Sequence, residues 1–149
     1  MRALWELGDF VRAMRREMRF GELSRAPLRL LSLEWRNDSV RCEWMARPAD
    51  VWDADVSHLI RERKVTEQAL KDAIAIRDLL FSVLPDIKSA NLRVYREAEP
   101  PELVIAGSAT RNSPALNGIR SLAMRVKLCG LHFHLENGKL EPLLREGPT

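Results

Sequence analysis

Residues 66–84 read TEQALKDAIAIRDLLFSVL, the longest strongly periodic apolar segment in the chain. Apolar side chains fall at Ala69, Ala73, Ile76, Leu80 and Val83, flanked by Leu70, Ile74, Phe81 and Leu84. Steps of three and four residues mark one face of a helix, and the width of the stripe predicts cover on more than one side. Thr66 is the expected N-cap, because its hydroxyl can accept from an orphan N–H of the first turn. Pro85 stops the helix, since it lacks an N–H and disfavours helical geometry at Leu84. Lys71, Asp72, Asp78 and Ser82 define the expected wet face. Arg77 sits among the apolar positions, where a packed stem with its head in water accounts for it.

On either side of this segment the pattern changes period. Residues 28–46 alternate as a β-hairpin around Asn37-Asp38, two residue types that tolerate left-handed backbone. That turn sets Trp35 against Val40, Leu33 against Cys42 and Leu31 against Trp44, an apolar face, with Glu34–Arg41 and Ser32–Glu43 behind it. A slip of one residue destroys the separation. Residues 91–110 form a second hairpin around the Ala98-Glu99-Pro100-Pro101 loop. Its simplest register opposes Leu92, Val94 and Arg96 to Gly107, Ile105 and Leu103, and also sets Glu97 against Glu102, an unfavourable like-charge pair. Between the first hairpin and the central helix, residues 47–65 are the least regular stretch; Val51 and Trp52 are expected to plug a core edge, with Asp55 or Ser57 capping a short helical lead-in.

Residues 1–20 carry an amphipathic helix whose Leu4, Leu7, Val11, Met14 and Met18 repeat as the a/d seam of a coiled coil. Arg12, Arg15, Arg16 and Arg19 gather at its C-terminal end, the favourable end of the helix dipole. Residues 114–129 form a further helix, with Ser113 as N-cap, Pro114 at the first position, Leu116, Ile119, Ala123 and Val126 inward, and Gly130 past its end. Residues 131–144 close the chain as a hairpin around Asn137-Gly138, with Pro142 marking an edge. The order is three αββ units. It predicts one α+β domain over 1–149, two layers, with a mainly antiparallel sheet built from three hairpins under three helices.

Composition sets outer bounds. Hydrophobic content of 46%, charged content of 30% and a net charge of +3 are those of a soluble globular protein. No apolar run reaches the ~20 residues of a membrane span, and acidic and Arg residues interrupt the first helix from Glu6 onward, so a cytoplasmic location is expected. Cys42 and Cys129 fall at inward positions and read as buried thiols.

Residues from about 69 to 140 resemble a BON domain, a small αββαβ module. The resemblance rests on a helix before a strand pair, on the strand Leu103-x-Ile105-x-Gly107-x-Ala109, on a helix with Ala123, and on Gly130-Leu131 leading into a strand with Phe133 and Leu135. It implies a binding module, of the kind associated with phospholipid surfaces or protein partners, rather than an enzyme. The chain departs from that family in its large additional N-terminal half, and no export signal is expected from its first residues.

Chemistry is sparse. His132, His134 and Glu136 alternate along one strand face, with Glu141 opposite His134, and could form half of a Zn²⁺ or Fe²⁺ site. The competing account is the polar outer face of an edge hairpin. No GxSxG, HExxH, CxxC, Walker A or GxGxxG motif is present, and no cofactor is implied. The chain lacks an exposed aromatic platform for stacking bases, which argues against a nucleic-acid partner. The leading expectation is a non-enzymatic binding or scaffolding domain that meets a protein partner or its own copy. A peripheral binder of anionic surfaces, phospholipid or nucleic acid, through Arg12, Arg15, Arg16 and Arg19 is the first alternative. A metal-dependent enzyme built on His132, His134 and Glu136 is the second.

Overall fold

The central apolar stripe belongs to a helix longer than its own periodicity. A computed structural model describes residues 2–111 and 119–143, with side chains from Leu4 onward. Its elements are α1 (Arg2–Glu17), β1 (Arg29–Arg36), β2 (Ser39–Met45), a single 3₁₀ turn at Val51–Asp53, α2 (His58–Val83), β3 (Ser89–Arg96), β4 (Glu102–Thr110), α3 (Leu122–Leu128), β5 (Leu131–His132), β6 (His134–Glu136) and β7 (Lys139–Glu141). It is an α+β fold in which β1 to β5 form one sheet in chain order, antiparallel except between β2 and β3.

Thr66 is not the N-cap of α2. The helix starts at His58, Ser57 Oγ accepts from the Ile60 amide, and Thr66 is buried in its interior. No residue between 58 and 66 breaks a helix, so it runs on through the weakly patterned lead-in. At 26 residues it is about 39 Å long and carries the chain back across the sheet. β3 therefore starts beside the start of β2, with Ser39 opposite Ser89, and pairs with it in parallel. The sheet is mainly antiparallel, as expected, but the helical crossover makes the strand pair between the first two hairpins parallel.

The first hairpin keeps its predicted register from Trp35–Val40 to Ser32–Glu43, and the Trp35 indole donates to Asn37 O at 2.7 Å across the turn. Beyond Ser32 the register shifts, so Leu30 rather than Leu31 faces Trp44, and Leu31 is exposed. The second hairpin keeps Leu92–Gly107 and Val94–Ile105, then shifts after Val94 so that Arg96 meets Glu102, not Leu103. The shift replaces the like-charge pair by an Arg96–Glu102 ion pair at 2.7 Å.

The third hairpin is divided. β5 joins the main sheet beside β4, Phe133 leaves the strand and is buried, and β6–β7 pair apart from it around Asn137-Gly138. His134 does face Glu141. The expected helix at 114–129 shortens to Leu122–Leu128, capped by Ser121, while Ser113, Pro114 and Leu116 lie outside the described residues.

The core lies between the sheet and the helices. Val40, Cys42 and Trp44 of β2 and Ala90, Leu92 and Val94 of β3 are fully buried with Ala73, Ile76 and Leu80 of α2. Arg111, unremarked in sequence, closes the end of α2: it donates to Phe81 O, Leu84 O and Ile87 O and stacks 4.9 Å from the Phe81 ring. Val51 and Trp52 do not plug a core edge. They are 82% and 74% exposed, and Asp53 is the buried member of that turn.

Both cysteines are free and buried, and burial pushes the Cys42 thiol up to about 12 and raises that of Cys129. Neither thiol is expected to react with a thiol reagent at pH 8 in the native protein, and both should react in denaturant. A native count above zero by absorbance would place one of them at the surface.

Candidate functional site

The first helix presents two unlike faces. Phe10, Met14 and Met18 are buried in the core, with Leu7 and Val11 packed partly against it. Each fully buried side chain of this size contributes roughly 1.5–3 kcal/mol, so the seam from Leu7 to Met18 is spent on the protein's own domain, while Leu4 is exposed. At ~3.6 residues per turn, Arg12, Arg15 and Arg16 point the other way, with Trp5 two turns up on the same side. Trp5 is 72% exposed. Arg19 follows the end of the helix, exposed, with its guanidinium 5.2 Å over the Phe20 ring.

These arginines are weakly neutralised. Arg12 pairs with Asp9, and Arg16 lies 3.9 Å from Glu17, both at exposed positions where a pair is worth at most ~1 kcal/mol. Arg15 makes no ion pair with a described residue.

A buried polar node fixes the end of the helix. Arg47, just past β2, donates from Nε to Asp72 Oδ2 at 2.8 Å, from Nη1 to Ala26 O at 2.8 Å and from Nη2 to Met18 O at 2.7 Å. The last bond caps the carbonyl end of the α1 segment with a cation, where the dipole favours one. Gln68 donates to Asp72 Oδ1 at 2.9 Å, and its own Oε1 accepts from the Leu23 amide at 2.6 Å. Lys71 holds Glu22 at 2.6 Å. A Cβ on Gly21 would stand 2.5 Å from Gln68 Cδ, so the turn lies directly on α2. Burial raises the Asp72 carboxyl above its ordinary range, while Arg47 and Gln68 pull it back. Asp72 was expected on the wet face; it is buried.

The structure does not assemble the histidine strand. His132 lies on β5 opposite Ala106, whereas His134 and Glu136 lie on β6 opposite Glu141 and Lys139. All three are exposed, and they fall on two sheets. Among the described residues no group of three or more His, Cys, Asp or Glu could hold a metal ion.

No family model, curated protein or solved structure matches this chain. Among the described residues no helix is long and apolar enough to cross a membrane.

Arg12, Arg15, Arg16 and Arg19 were legible from composition and spacing. Arg47 was not, because a lone Arg after a strand carries no pattern. Gln68 and Asp72 did leave a signal: they precede Ile76 and Leu80 at four-residue steps, on the same line of the helix as buried residues.

Proposed function

We propose that the protein is a binding domain, without catalytic chemistry of its own, that attaches to an anionic phospholipid surface through the outward side of α1. The observation that carries this reading is the division of labour on that helix: the apolar seam from Leu7 to Met18 is used internally, while Leu4 and Trp5 at its start and Arg12, Arg15, Arg16 and Arg19 toward its end remain exposed. Arginines supply attraction to anionic headgroups, and an exposed Trp suits the interfacial zone. The order α2–β3–β4–α3–β5 and the αββαβ order of a BON domain coincide, which supports a binding role.

Vesicles of phosphatidylcholine with and without phosphatidylglycerol test it. Binding is expected only with phosphatidylglycerol and to fade with added salt. At ~1 kcal/mol per basic residue, Arg15→Gln with Arg19→Gln should weaken binding roughly thirtyfold. These positions are exposed, so stability should stay within about 0.5 kcal/mol. No binding at low salt sinks the reading, and binding to an oligonucleotide instead moves it to nucleic acid.

A second reading, self-association through an apolar corner, has its own observation. Arg61 donates to Asp53 O, Ala54 O and Val56 O at 3.0–3.2 Å, and Lys64 holds Asp53 at 2.8 Å. This clamps the 3₁₀ turn to the start of α2, yet leaves Val51, Trp52, Leu59 and Ile60 exposed. Self-association there predicts concentration-dependent sedimentation that Trp52→Ala abolishes without changing the unfolding midpoint; a wild-type monomer at all concentrations rejects it.

A further inference from the structure

β1 is an edge of the five-stranded sheet, and the side of it turned away from β2 pairs with no described strand. The two-residue turn makes Arg36 and Ser39 the hydrogen-bonded closing pair, and bonded and non-bonded pairs alternate from there. Arg36, Glu34 and Ser32 therefore bond to β2, while the amides and carbonyls of Trp35 and Leu33 point into the open edge. Leu31 follows at the register shift and is 43% exposed. An open row of backbone groups on an apolar strand is a template for another strand. Of the common defences β1 has only the bulge between Leu30 and Ser32; it contains no Pro and no Lys, and Arg36 and Glu34 neutralise each other at 3.0 Å. Its core-side residues also lack full cover. Leu33 and Trp35 pack only partly against the core, whereas Cys42 and Val40 opposite them are fully buried.

The occupant follows from the order of residues in the strand. Residues 31–35 read Leu-Ser-Leu-Glu-Trp, a segment complementary to its own reverse about Leu33. Antiparallel pairing of two copies there sets Leu33 against Leu33, and sets Leu31 against Trp35 and Ser32 against Glu34 twice each. The core side of the new ladder is wholly apolar, the other side is polar, and no like charges are opposed. The neighbouring registers are worse. Centring on Glu34 opposes two carboxylates, and centring on Ser32 opposes Leu30 to Glu34.

We infer that the protein forms a two-fold dimer in which β1 pairs with the β1 of a second copy, joining two sheets into one. This interface is separate from the Val51–Trp52 corner and from the outward face of α1, and it does not depend on the lipid reading.

Sedimentation velocity over a wide concentration range should show a monomer–dimer equilibrium. Leu31→Lys, at an exposed position, places a charge in the apolar ladder and should weaken the dimer about tenfold or more. Ser32 tests the register, because it meets Glu34 of the second copy at two symmetric points. Ser32→Lys should tighten the dimer about fivefold and Ser32→Glu should weaken it by a similar factor. Ser32 also faces Glu43 of its own chain, and the unfolding midpoint of dilute protein reads that contact separately. Trp52→Ala and Arg15→Gln should leave the dimer unchanged. Amide exchange gives the direct readout: the Leu33 and Trp35 amides should exchange quickly in dilute protein and become protected as concentration rises. A monomer at every concentration, a dimer indifferent to Leu31→Lys, or loss of the dimer in Trp52→Ala overturns the assignment. So does Leu33 and Trp35 protection that is independent of concentration, which would mean that another segment of the same chain already lies along β1.

Discussion

Truncation of Asp72 to Ala is expected to lower the unfolding free energy by about 3–5 kcal/mol, a large part of the stability of a domain this size. Arg47 and Asp72 are both buried and bridge at 2.8 Å. Removing the carboxylate strands a guanidinium that cannot shed its proton and has only two carbonyls, Met18 O and Ala26 O, left to satisfy it. Gln68 loses its acceptor at the same time. The loss is in the stranded charge, not in the value of the pair. The double replacement Arg47→Met with Asp72→Leu should therefore recover much of the stability, because apolar isosteres of a buried pair are often neutral. Urea denaturation of wild type, single and double variants gives the comparison. A double variant as unstable as Asp72→Ala would mean that the backbone bonds to Arg47 carry the effect instead.

The pH profile adds a signed expectation. The folded Asp72 carboxyl lies above its unfolded value, mainly from desolvation. In the window between the two values the native state binds more protons, so stability contributed by this group is present at low pH and falls as pH rises through it. Asp72→Asn should flatten that segment of the curve.

How far the sequence reveals this architecture depends on the range of the interaction that decides each element. The Asn37-Asp38 turn and the Trp35–Val40 and Leu33–Cys42 pairs are local, and the register follows from alternation alone. The Asn137-Gly138 turn is similar: both residues have positive φ, as the turn requires. The parallel β2–β3 pair is invisible in that sense. It depends on where a 26-residue helix returns the chain, and the first eight residues of α2 carry almost no apolar stripe. The division of the last hairpin likewise depends on Phe133 finding the core, which no alternation rule encodes. At the site, the arginines of α1 are legible because exposure follows from one helix's own period. Asp72 shares a helix line with Ile76 and Leu80, but Arg47 is not legible, because its meaning comes from a contact across 25 positions.

Gly130→Ala is the second substitution expected to be severe, at about 3 kcal/mol or more. Gly130 has φ 97°, in the left-handed region, where a side chain costs about 1–2 kcal/mol. Space makes the change worse. A Cβ there would stand 2.3 Å from Ser108 O, a backbone atom of β4 held in the sheet on both sides. The relation is mutual, since a Cβ on Gly107 would stand 2.2 Å from Gly130 O and 2.9 Å from Leu131 Cα. The two glycines let the end of α3 cross directly over β4 before β5 pairs with it, and Gly107→Ala should push the same strands apart. Gly138→Ala is the informative contrast. Its φ of 81° carries a similar strain, but the added Cβ meets only the side chain of Arg63, which is exposed and can swing away. Gly138→Ala should therefore cost clearly less than Gly130→Ala. Amide exchange gives the local readout, with the Leu131 and His132 amides expected to lose protection in Gly130→Ala and Gly107→Ala and to keep it in Gly138→Ala. Equal losses in all three would leave backbone strain as the whole effect. A loss below about 1 kcal/mol in Gly130→Ala would mean that β5 yields without cost to the sheet, and that the close crossing at β4 is not what holds the last strand in place.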